Sequence, residues 1–163
     1  MKTNFNQKYK CIAIGGTFDN LHKGHKTLII KAFELSERVL IGLTDDVFYK
    51  NKKYFEKMES YKVRRQKLKN FIESKGYHNN FKIIKIVDKY GPTIIDKNID
   101  AIIVSKETSE TAQEINKIRQ KNRLPPLEIY VIDLIMAYDG NPISSTRIRK
   151  GEINSDGELN LNK

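Results

Sequence analysis

One segment near the start of the chain combines glycine, threonine and histidine at a spacing suited to holding phosphate. It reads Gly15-Gly16-Thr17-Phe18-Asp19-Asn20-Leu21-His22-Lys23-Gly24-His25 and follows an apolar run at residues 11–14. Glycine lets backbone N–H groups approach an anion closely, and the helix pattern that begins near Lys26 adds unpaired N–H groups. Two imidazoles can donate hydrogen bonds to phosphoryl oxygens as negative charge builds. We predict a phosphate-binding site here.

A second cluster of hydroxyl and guanidinium groups lies near the end of the chain, in Ile143-Ser144-Ser145-Thr146-Arg147-Ile148-Arg149. Serine and threonine at a helix start normally cap the helix by accepting backbone N–H bonds. Here three hydroxyl residues stand in succession before the arginines, so the segment also offers hydroxyls, N–H groups and guanidinium donors to an anion. We predict a second phosphate-binding site, with simple capping as the alternative.

Two other roles are open to the histidine pair. His22 and His25 are three residues apart, on one side of a helical turn, which zinc ligands can use. Asp19 is the one nearby candidate for a third ligand, and the glycine-rich surroundings favour an anion. In the other alternative, His22 is a turn residue and His25 belongs to the cap region of the helix. We expect no metal ion held by side chains.

Length and composition indicate one globular domain. The chain has 163 residues, 39% of them hydrophobic and 31% charged, which suffices for a hydrophobic core. No apolar run approaches the roughly 20 residues of a membrane helix, and residues 1–10 lack the apolar core of a signal peptide. The single cysteine, Cys11, excludes an internal disulfide. We expect a cytoplasmic protein with no membrane partner.

The net charge of +10 is concentrated between Lys50 and Lys69, where nine basic residues accompany two acidic ones. A site for a polyanion, either a nucleoside triphosphate or a nucleic acid, is one interpretation, and a solvated helix face is the other. The chain shows no recognition-helix motif, aromatic RNA-binding motif or zinc-finger spacing. A basic nucleic-acid-binding module is therefore the weaker hypothesis, and we expect no nucleic-acid partner.

Strand and helix patterns alternate along the chain. The predicted strands span residues 9–14, 38–43, 81–87, 101–104 and 127–132, and the predicted helices span 26–37, 61–75, 109–122 and 144–150. This alternation predicts an α/β fold: a single Rossmann-like, doubly wound domain over residues 1–152, with a five-stranded parallel sheet flanked by helices. Residues 44–60 are expected to form a mobile loop, and residues 153–163 a polar tail that frays.

Polar segments follow four of the predicted strands, at residues 15–25, 44–53, 88–93 and 105–108. The carboxyl ends of parallel strands meet at one edge of a sheet, and ligands of such sheets bind there. These segments are therefore expected to converge on one crevice, where the two phosphate-binding motifs face the same ligand.

The two motifs together resemble the signature of a known enzyme superfamily. His22-x-Gly24-His25 followed by Ile143-Ser144-Ser145-Thr146-x-x-Arg149 is similar to the paired motifs of the nucleotidylyltransferases. Within them, the chain resembles the archaeal and eukaryotic phosphopantetheine adenylyltransferases over residues 10–152. Three further segments carry this resemblance: Asp88-Lys89-Tyr90-Gly91-Pro92-Thr93, Val104-Ser105-Lys106-Glu107-Thr108, and Glu114-Ile115-Asn116-x-x-Arg119 with Pro126-Leu127-Glu128. That family usually has proline where this chain has Asn20.

The resemblance implies a specific reaction. AMP would pass from ATP to 4′-phosphopantetheine, giving dephospho-coenzyme A and pyrophosphate by in-line attack without a covalent intermediate. Mg²⁺ is then expected on the ATP phosphates. A cytidylyltransferase, and a nicotinamide mononucleotide or flavin adenylyltransferase, would carry the same phosphate-binding motifs and stay as alternatives. The oligomeric state is left open.

The same resemblance implies roles at the nucleotide. Thr17, with the backbone of Gly15 and Gly16, would orient the attacking phosphate, and His25 would donate to an oxygen of the α-phosphate. Either Lys50 or Lys52 of the basic loop, with Lys53 as a further candidate, would bridge the attacking and leaving oxygens. The remaining ATP contacts are assigned to His22, Gly24, Ser144, Ser145, Thr146, Arg147 and Arg149.

Residues after the third and fourth predicted strands are assigned to the acceptor substrate. Besides Thr17, these are Asp88, Tyr90, Thr93 and Glu107. For the first three, a turn built on Gly91-Pro92 is the competing interpretation. Asn116 and Arg119 are further candidates for contact with adenine or the acceptor, and a solvated helix face is equally open to them.

Overall fold

Strands and helices alternate through residues 7–51 and 54–161, which the computed structural model describes. The strands are β1 (Tyr9–Gly16), β2 (Ser36–Thr44), β3 (Phe81–Ile86), β4 (Ala101–Ser105) and β5 (Glu128–Ile132). The α-helices are α1 (Lys23–Leu35), α2 (Tyr61–Ser74), α3 (Ser109–Lys121) and α4 (Ser145–Arg149). None of the helices in these residues is long and apolar enough to cross a membrane.

The five strands form one parallel sheet in the order β3-β2-β1-β4-β5. From β1 the chain winds outward through β2 to β3, then returns to the other side of β1 and continues through β4 to β5. This reversal leaves a crevice beyond the carboxyl ends of β1 and β4, where doubly wound sheets bind ligands. The predicted fold class is confirmed.

Alternate residues of β1 serve two hydrophobic cores, one on each face of the sheet. Ile12 packs with Phe33 of α1 and Leu68 of α2 in the first core. Ala13 packs with Ile115 of α3 in the second core. All five side chains are buried, so the sheet is covered on both faces, and its apolar runs are continuous rather than alternating.

The junction between α1 and β2 differs from the prediction of a helix over residues 26–37. The helix begins at Lys23, and the backbone is already extended at Ser36. The buried Ser36 hydroxyl donates to the carbonyl oxygens of Ala32 (2.9 Å) and Arg38 (2.8 Å), which fixes the turn from helix to strand. Strand β2 therefore begins at Ser36, two residues before the predicted strand over residues 38–43.

The segment predicted as a mobile loop, residues 44–60, contains two 3₁₀ turns at Asp46–Tyr49 and Phe55–Lys57. Tyr49 is only 2% exposed, and Oδ2 of Asp46 accepts the Tyr61 N–H at 3.0 Å. These contacts anchor both ends of the segment to the domain.

The C-terminal segment is packed rather than frayed over its described residues, which corrects the prediction. Ile153 is fully buried against Ala137 and Ile143 and pairs in a β-bridge with Leu159. The Ser155 carbonyl accepts the Lys23 N–H at 2.9 Å, at the start of α1. The buried isoleucine and the backbone bonds were hidden from sequence reasoning by the polar composition around them.

We expect Ile153→Val to lower the free energy of unfolding by about 1 kcal/mol, because the lost methyl group leaves a small cavity in this cluster. Chemical denaturation measures the effect. The matched control is Ile95→Val, since Ile95 is 70% exposed and its substitution should change stability by less than about 0.5 kcal/mol. Equal effects of the two substitutions would show that the C-terminal segment contributes no buried contact.

Candidate active site

A cavity of about 470 Å³ opens at the carboxyl edge of the sheet. It brings together the segment after β1, the segments after β3, β4 and β5, and the start of α4. Twelve of the predicted site residues line it: Gly15, Gly16, Thr17, His22, Gly24, His25, Asp88, Glu107, Ser144, Ser145, Thr146 and Arg149. The two phosphate motifs, more than 100 residues apart in sequence, therefore face one space.

His22 caps helix α1 with its imidazole. Its Nδ1 accepts the N–H groups of Gly24 (3.1 Å) and His25 (3.4 Å). Because Nδ1 is an acceptor, the neutral ring carries its proton on Nε2. Burial lowers the pKa of His22 to about 4. The negative charge of Asp19 opposes this shift, and the positive charge of Lys26 adds to it. Near neutral pH, His22 is thus an uncharged donor at Nε2.

The glycine between the two histidines leaves room for the ring of the first of them. A Cβ at Gly24 would lie 3.0 Å from Cε1 and 3.1 Å from Nδ1 of His22, closer than ordinary van der Waals contact. With Gly24 in place, the His22 ring folds over the helix start and stacks on His25, with ring centroids 3.7 Å apart. The sequence predicted this glycine as a phosphate contact; its steric role needed the structure.

The turn between β1 and α1 is held in an uncommon backbone conformation. Phe18 (φ 48°) and Asn20 (φ 55°) both occupy the left-handed region, on either side of the fully buried Asp19. Asparagine tolerates this region, whereas the ring of proline fixes φ near −65°. Proline at position 20 could not adopt the φ that Asn20 has in this turn.

Asp19 joins the two phosphate motifs. Its Oδ2 accepts from Nη1 of Arg149 at 2.6 Å in a pair with almost no exposure. The Ser145 hydroxyl donates to the Asp19 carbonyl oxygen at 2.8 Å. Sequence reasoning considered Asp19 only as a third zinc ligand and missed this connection, since nothing in the local spacing links residues so far apart.

The hydroxyl residues at α4 have structural contacts as well as places in the cavity wall. The Ser144 hydroxyl accepts the Arg147 N–H at 3.3 Å and so caps the helix, as the capping alternative proposed. The Thr146 hydroxyl accepts from Nη2 of Arg149 at 3.2 Å. The helix is only one turn long, and these contacts fix the side chains that border the cavity.

The structure corrects the assignment of Arg147 to the ATP phosphates. Arg147 lies outside the cavity lining, and its guanidinium pairs with Asp139 (2.5 Å) and Glu152 (2.9 Å). It also donates to the Pro142 carbonyl oxygen at 3.1 Å. Side chains two positions apart on a helix point to different faces. Arg149 therefore faces the cavity, whereas Arg147 contacts the C-terminal segment.

The structure does not bring the predicted catalytic lysine Lys50 to the cavity, and Lys52 lies outside the described residues. Lys50 is exposed and absent from the lining. Among the described residues, the lysine and arginine side chains in the wall are Lys89 and Arg149. Lys89 pairs with Glu114 at 2.5 Å. Its place directly after β3, at the carboxyl edge, was the signal that could have identified it.

The residues assigned to the acceptor divide between two adjoining spaces. Asp88 and Glu107 line the large cavity, whereas Tyr90 and Thr93 line a neighbouring cavity of about 50 Å³ that shares Gly15 with it. Asp88 also has the predicted turn role, since its Oδ1 accepts the N–H groups of Tyr90 (2.8 Å) and Gly91 (2.7 Å). The wall also includes residues 133–135 after β5, which the prediction omitted.

Arg64, from the basic segment, and Arg119, from α3, are buried and lie outside the cavity lining. Arg64 is fully buried and donates to the carbonyl oxygens of Thr17 (2.8 Å) and Thr44 (3.0 Å). Arg119 is 1% exposed and donates to the carbonyl oxygens of Pro125 (2.7 Å) and Thr93 (2.6 Å). Neither the solvated face nor the adenine contact considered for Arg119 matches this environment.

A family model described as cytidylyltransferase-like matches residues 13–151. The phosphopantetheine adenylyltransferase of Methanothermobacter thermautotrophicus is 43% identical over 155 residues, covering 94% of this chain and 91% of the relative. That of Methanosarcina mazei is 47% identical over 152 residues, covering 91% and 96%. The chain belongs to the phosphopantetheine adenylyltransferases of the cytidylyltransferase-like family. The resemblance carried by the motifs is thereby confirmed.

A solved structure of a protein of unknown function from Archaeoglobus fulgidus supports the fold of this family member. It is 32% identical in sequence, with a TM-score of 0.68 over 75% of this chain and 88% of that chain. The cavity is the candidate active site of this family member, because both motifs on which the resemblance rests line it.

Proposed function

We propose that this chain transfers the adenylyl group of ATP to 4′-phosphopantetheine, giving dephospho-coenzyme A and pyrophosphate. The observation that carries the proposal is the single cavity lined by both phosphate motifs. A nucleoside triphosphate and a phosphorylated acceptor need adjacent anion sites, and this arrangement supplies them. Relatives more than 40% identical over nearly the whole chain are phosphopantetheine adenylyltransferases.

The reaction is a direct in-line displacement at the α-phosphorus of ATP. A phosphate oxygen of 4′-phosphopantetheine forms the new P–O bond, while the bond from the α-phosphorus to the α,β-bridging oxygen breaks. The electron pair of the broken bond leaves with pyrophosphate. The nucleophile is already an anion, so catalysis depends on positioning and charge stabilisation rather than on a strong general base.

The donors at the start of α1 act on the reacting phosphates. Thr17 and the Gly15-Gly16 backbone orient the attacking phosphate, and His25 donates to an oxygen of the α-phosphate. His22 donates from Nε2 to the same triphosphate, because its Nδ1 is occupied by the helix cap. Donors fixed before the reaction stabilise developing charge without having to reorganise.

The wall at α4 holds the leaving phosphates. Ser145 and Thr146 border the cavity beside Arg149, whose guanidinium donates hydrogen bonds to the pyrophosphate. Ser144 contributes chiefly by capping the helix. Arg147 is not assigned a ligand role, since both of its acidic partners lie outside the lining.

The acceptor occupies the side of the cavity beside β3 and β4. Asp88 and Glu107 border it there, and Tyr90 and Thr93 border the adjoining small cavity. A lysine that bridges the attacking and leaving oxygens stays a prediction for Lys50 and Lys52. Lys50 would have to turn inward from its exposed position to reach the substrate.

Mg²⁺ enters with ATP in this proposal. Its preference for phosphate and water oxygens allows it to bind with few protein ligands. Within the described residues, no group of three histidine, cysteine, aspartate or glutamate side chains is arranged to hold a metal. Of the acidic side chains in the wall, Asp88 already accepts two backbone N–H groups through Oδ1. The nucleotide phosphates would hold the ion, which would supply charge neutralisation.

A substrate panel tests this function. We expect pyrophosphate release with ATP and 4′-phosphopantetheine together, and only background release when CTP replaces ATP. Nicotinamide mononucleotide, flavin mononucleotide and glycerol 3-phosphate are the competing acceptors, each with both nucleotides. Preferential release with any of these would assign the enzyme to another nucleotidylyltransferase activity and contradict the proposal.

A further inference from the structure

A buried ion pair lies between the two phosphate motifs. Asp19 is fully buried, Arg149 is 6% exposed, and Oδ2 of Asp19 accepts from Nη1 of Arg149 at 2.6 Å. Two charges removed from water gain little net stability, although the loss of one partner strands the other charge. The pair is thus poorly explained by stability alone, and its site at the cavity wall points to a role in the reaction.

The same aspartate is hydrogen-bonded to two other parts of the chain, helix α4 and the segment before α2. Besides Arg149, its Oδ1 accepts the Glu59 N–H at 3.0 Å, and its carbonyl oxygen accepts the Ser145 hydroxyl at 2.8 Å. The Glu59 carbonyl in turn accepts from Nε of the buried Arg64 at 2.9 Å. The turn after β1, the segment before α2 and helix α4 therefore meet at Asp19, through its carboxylate and its backbone carbonyl.

The backbone around Asp19 is held in place by these bonds. Both neighbours, Phe18 and Asn20, have left-handed φ values. Non-glycine residues keep such conformations only where the surrounding structure enforces them, and they are concentrated at functional sites. The strained turn directs the Asp19 carboxylate inward, toward Arg149.

The Arg149 guanidinium is fixed in position by Asp19 and Thr146. Nη1 is bonded to Asp19 and Nη2 to Thr146, whereas its buried Nε has no hydrogen-bond partner among residues 7–51 and 54–161. The side chain also lines the cavity. A guanidinium held at a fixed angle can meet a phosphate with less loss of freedom than a mobile one.

We infer that Asp19 is a positioning residue for adenylyl transfer, acting by holding the guanidinium of Arg149 in the wall of the nucleotide site. This inference rests on the proposed function, since it takes the anion in the cavity to be ATP. Asp19 does not touch the substrate, and its effect passes through Arg149. Removing the carboxylate charge should therefore impair the reaction only while Arg149 is present.

Asp19→Asn tests the inference because it keeps the size of the side chain and an acceptor for the Glu59 N–H. We expect kcat/KM for ATP to fall at least tenfold. The control is Asp139→Asn, which breaks the 2.5 Å ion pair between Asp139 and Arg147. Arg147 lies on the same helix as Arg149 but outside the cavity lining, so this variant should keep kcat/KM within twofold of the wild type. Equal effects of the two variants would overturn the inference.

A double-mutant cycle separates positioning from a general structural effect. If Asp19 acts through Arg149, Asp19→Asn added to Arg149→Lys should lower kcat/KM by less than twofold beyond Arg149→Lys alone. Multiplication of the two single effects would contradict the inference. An inactive wild type would instead refute the proposed function, so the two failures are distinguishable.

Thermal unfolding of every variant accompanies the kinetics. If Asp19→Asn does not fold, Asp19→Glu replaces it, because it keeps the anion while displacing the carboxylate by one methylene. A folded Asp19→Glu enzyme with at least tenfold lower kcat/KM supports the inference, and one within twofold of wild type overturns it. Failure of both variants to fold would assign Asp19 to folding rather than to the reaction, which also overturns it.

Discussion

His25→Ala is expected to lower turnover by about 10²–10³-fold, the usual cost of removing one preorganised donor to a developing charge. His25 lies in the first turn of α1, lines the cavity and stacks on the neutral His22 ring. The stacked contact contributes about 1 kcal/mol to stability, so the variant should still fold. Steady-state turnover and chemical denaturation, measured on the same preparation, separate the two effects.

The matched control is His78→Ala. His78 is an exposed residue between α2 and β3, so its substitution should leave both turnover and stability unchanged. Near-normal turnover in His25→Ala would remove this residue from the proposed mechanism. A large loss of stability in the same variant would shift its role toward the packing of the helix start.

The fold could be predicted because its signals are local and repeated. Apolar runs such as residues 11–14 can form buried strands of a parallel sheet, and the helices between them have regular apolar spacing. Errors occurred where the contacts of a single side chain, rather than the composition of its segment, decide the outcome. The buried Ile153 holds down a polar segment, and the Ser36 hydroxyl turns the chain from helix to strand without a loop.

The location of the candidate site could also be predicted, since parallel strands end at one edge of the sheet. The orientation of individual side chains could not. Both Arg147 and Arg149 were assigned to the ATP phosphates, although only Arg149 stands at the arginine position of the motif, and only Arg149 lines the cavity. The choice depends on Asp19 and Asp139, which pair with one arginine each through tertiary contacts. These partners cannot be predicted from the spacing of residues in the sequence.

The role of the basic residues between Lys50 and Lys69 could not be predicted from their charge either. Counting cations between Lys50 and Lys69 indicated an anion-binding surface or a solvated face, but Arg64 within it is fully buried. Its guanidinium bonds the backbone at Thr17 and Thr44, next to the carboxyl ends of β1 and β2. The same guanidinium pairs with Asp46 at 2.6 Å. This charge therefore serves contacts within the domain, which a count of net charge does not show.

His22→Asn is expected to make the protein less sensitive to acid. In the folded state the pKa of His22 is lowered from 6.5 to about 4 by burial. Between these values the unfolded chain binds the proton that the folded chain refuses, so the stability of the wild type falls as the pH drops through this window. A shift of this size corresponds to about 3 kcal/mol. Asparagine accepts the same cap bonds but does not titrate.

Urea denaturation at pH 7.5 and pH 4.5 measures this difference. The two proteins should have similar stability at pH 7.5, where His22 is neutral in both the folded and unfolded states. At pH 4.5 the wild type should have lost about 2 kcal/mol more than His22→Asn. The exposed His78 provides the control, since His78→Asn should follow the wild type. Parallel losses in wild type and His22→Asn would mean that His22 accepts its proton while the protein is folded, and that the cap at Nδ1 does not hold it neutral.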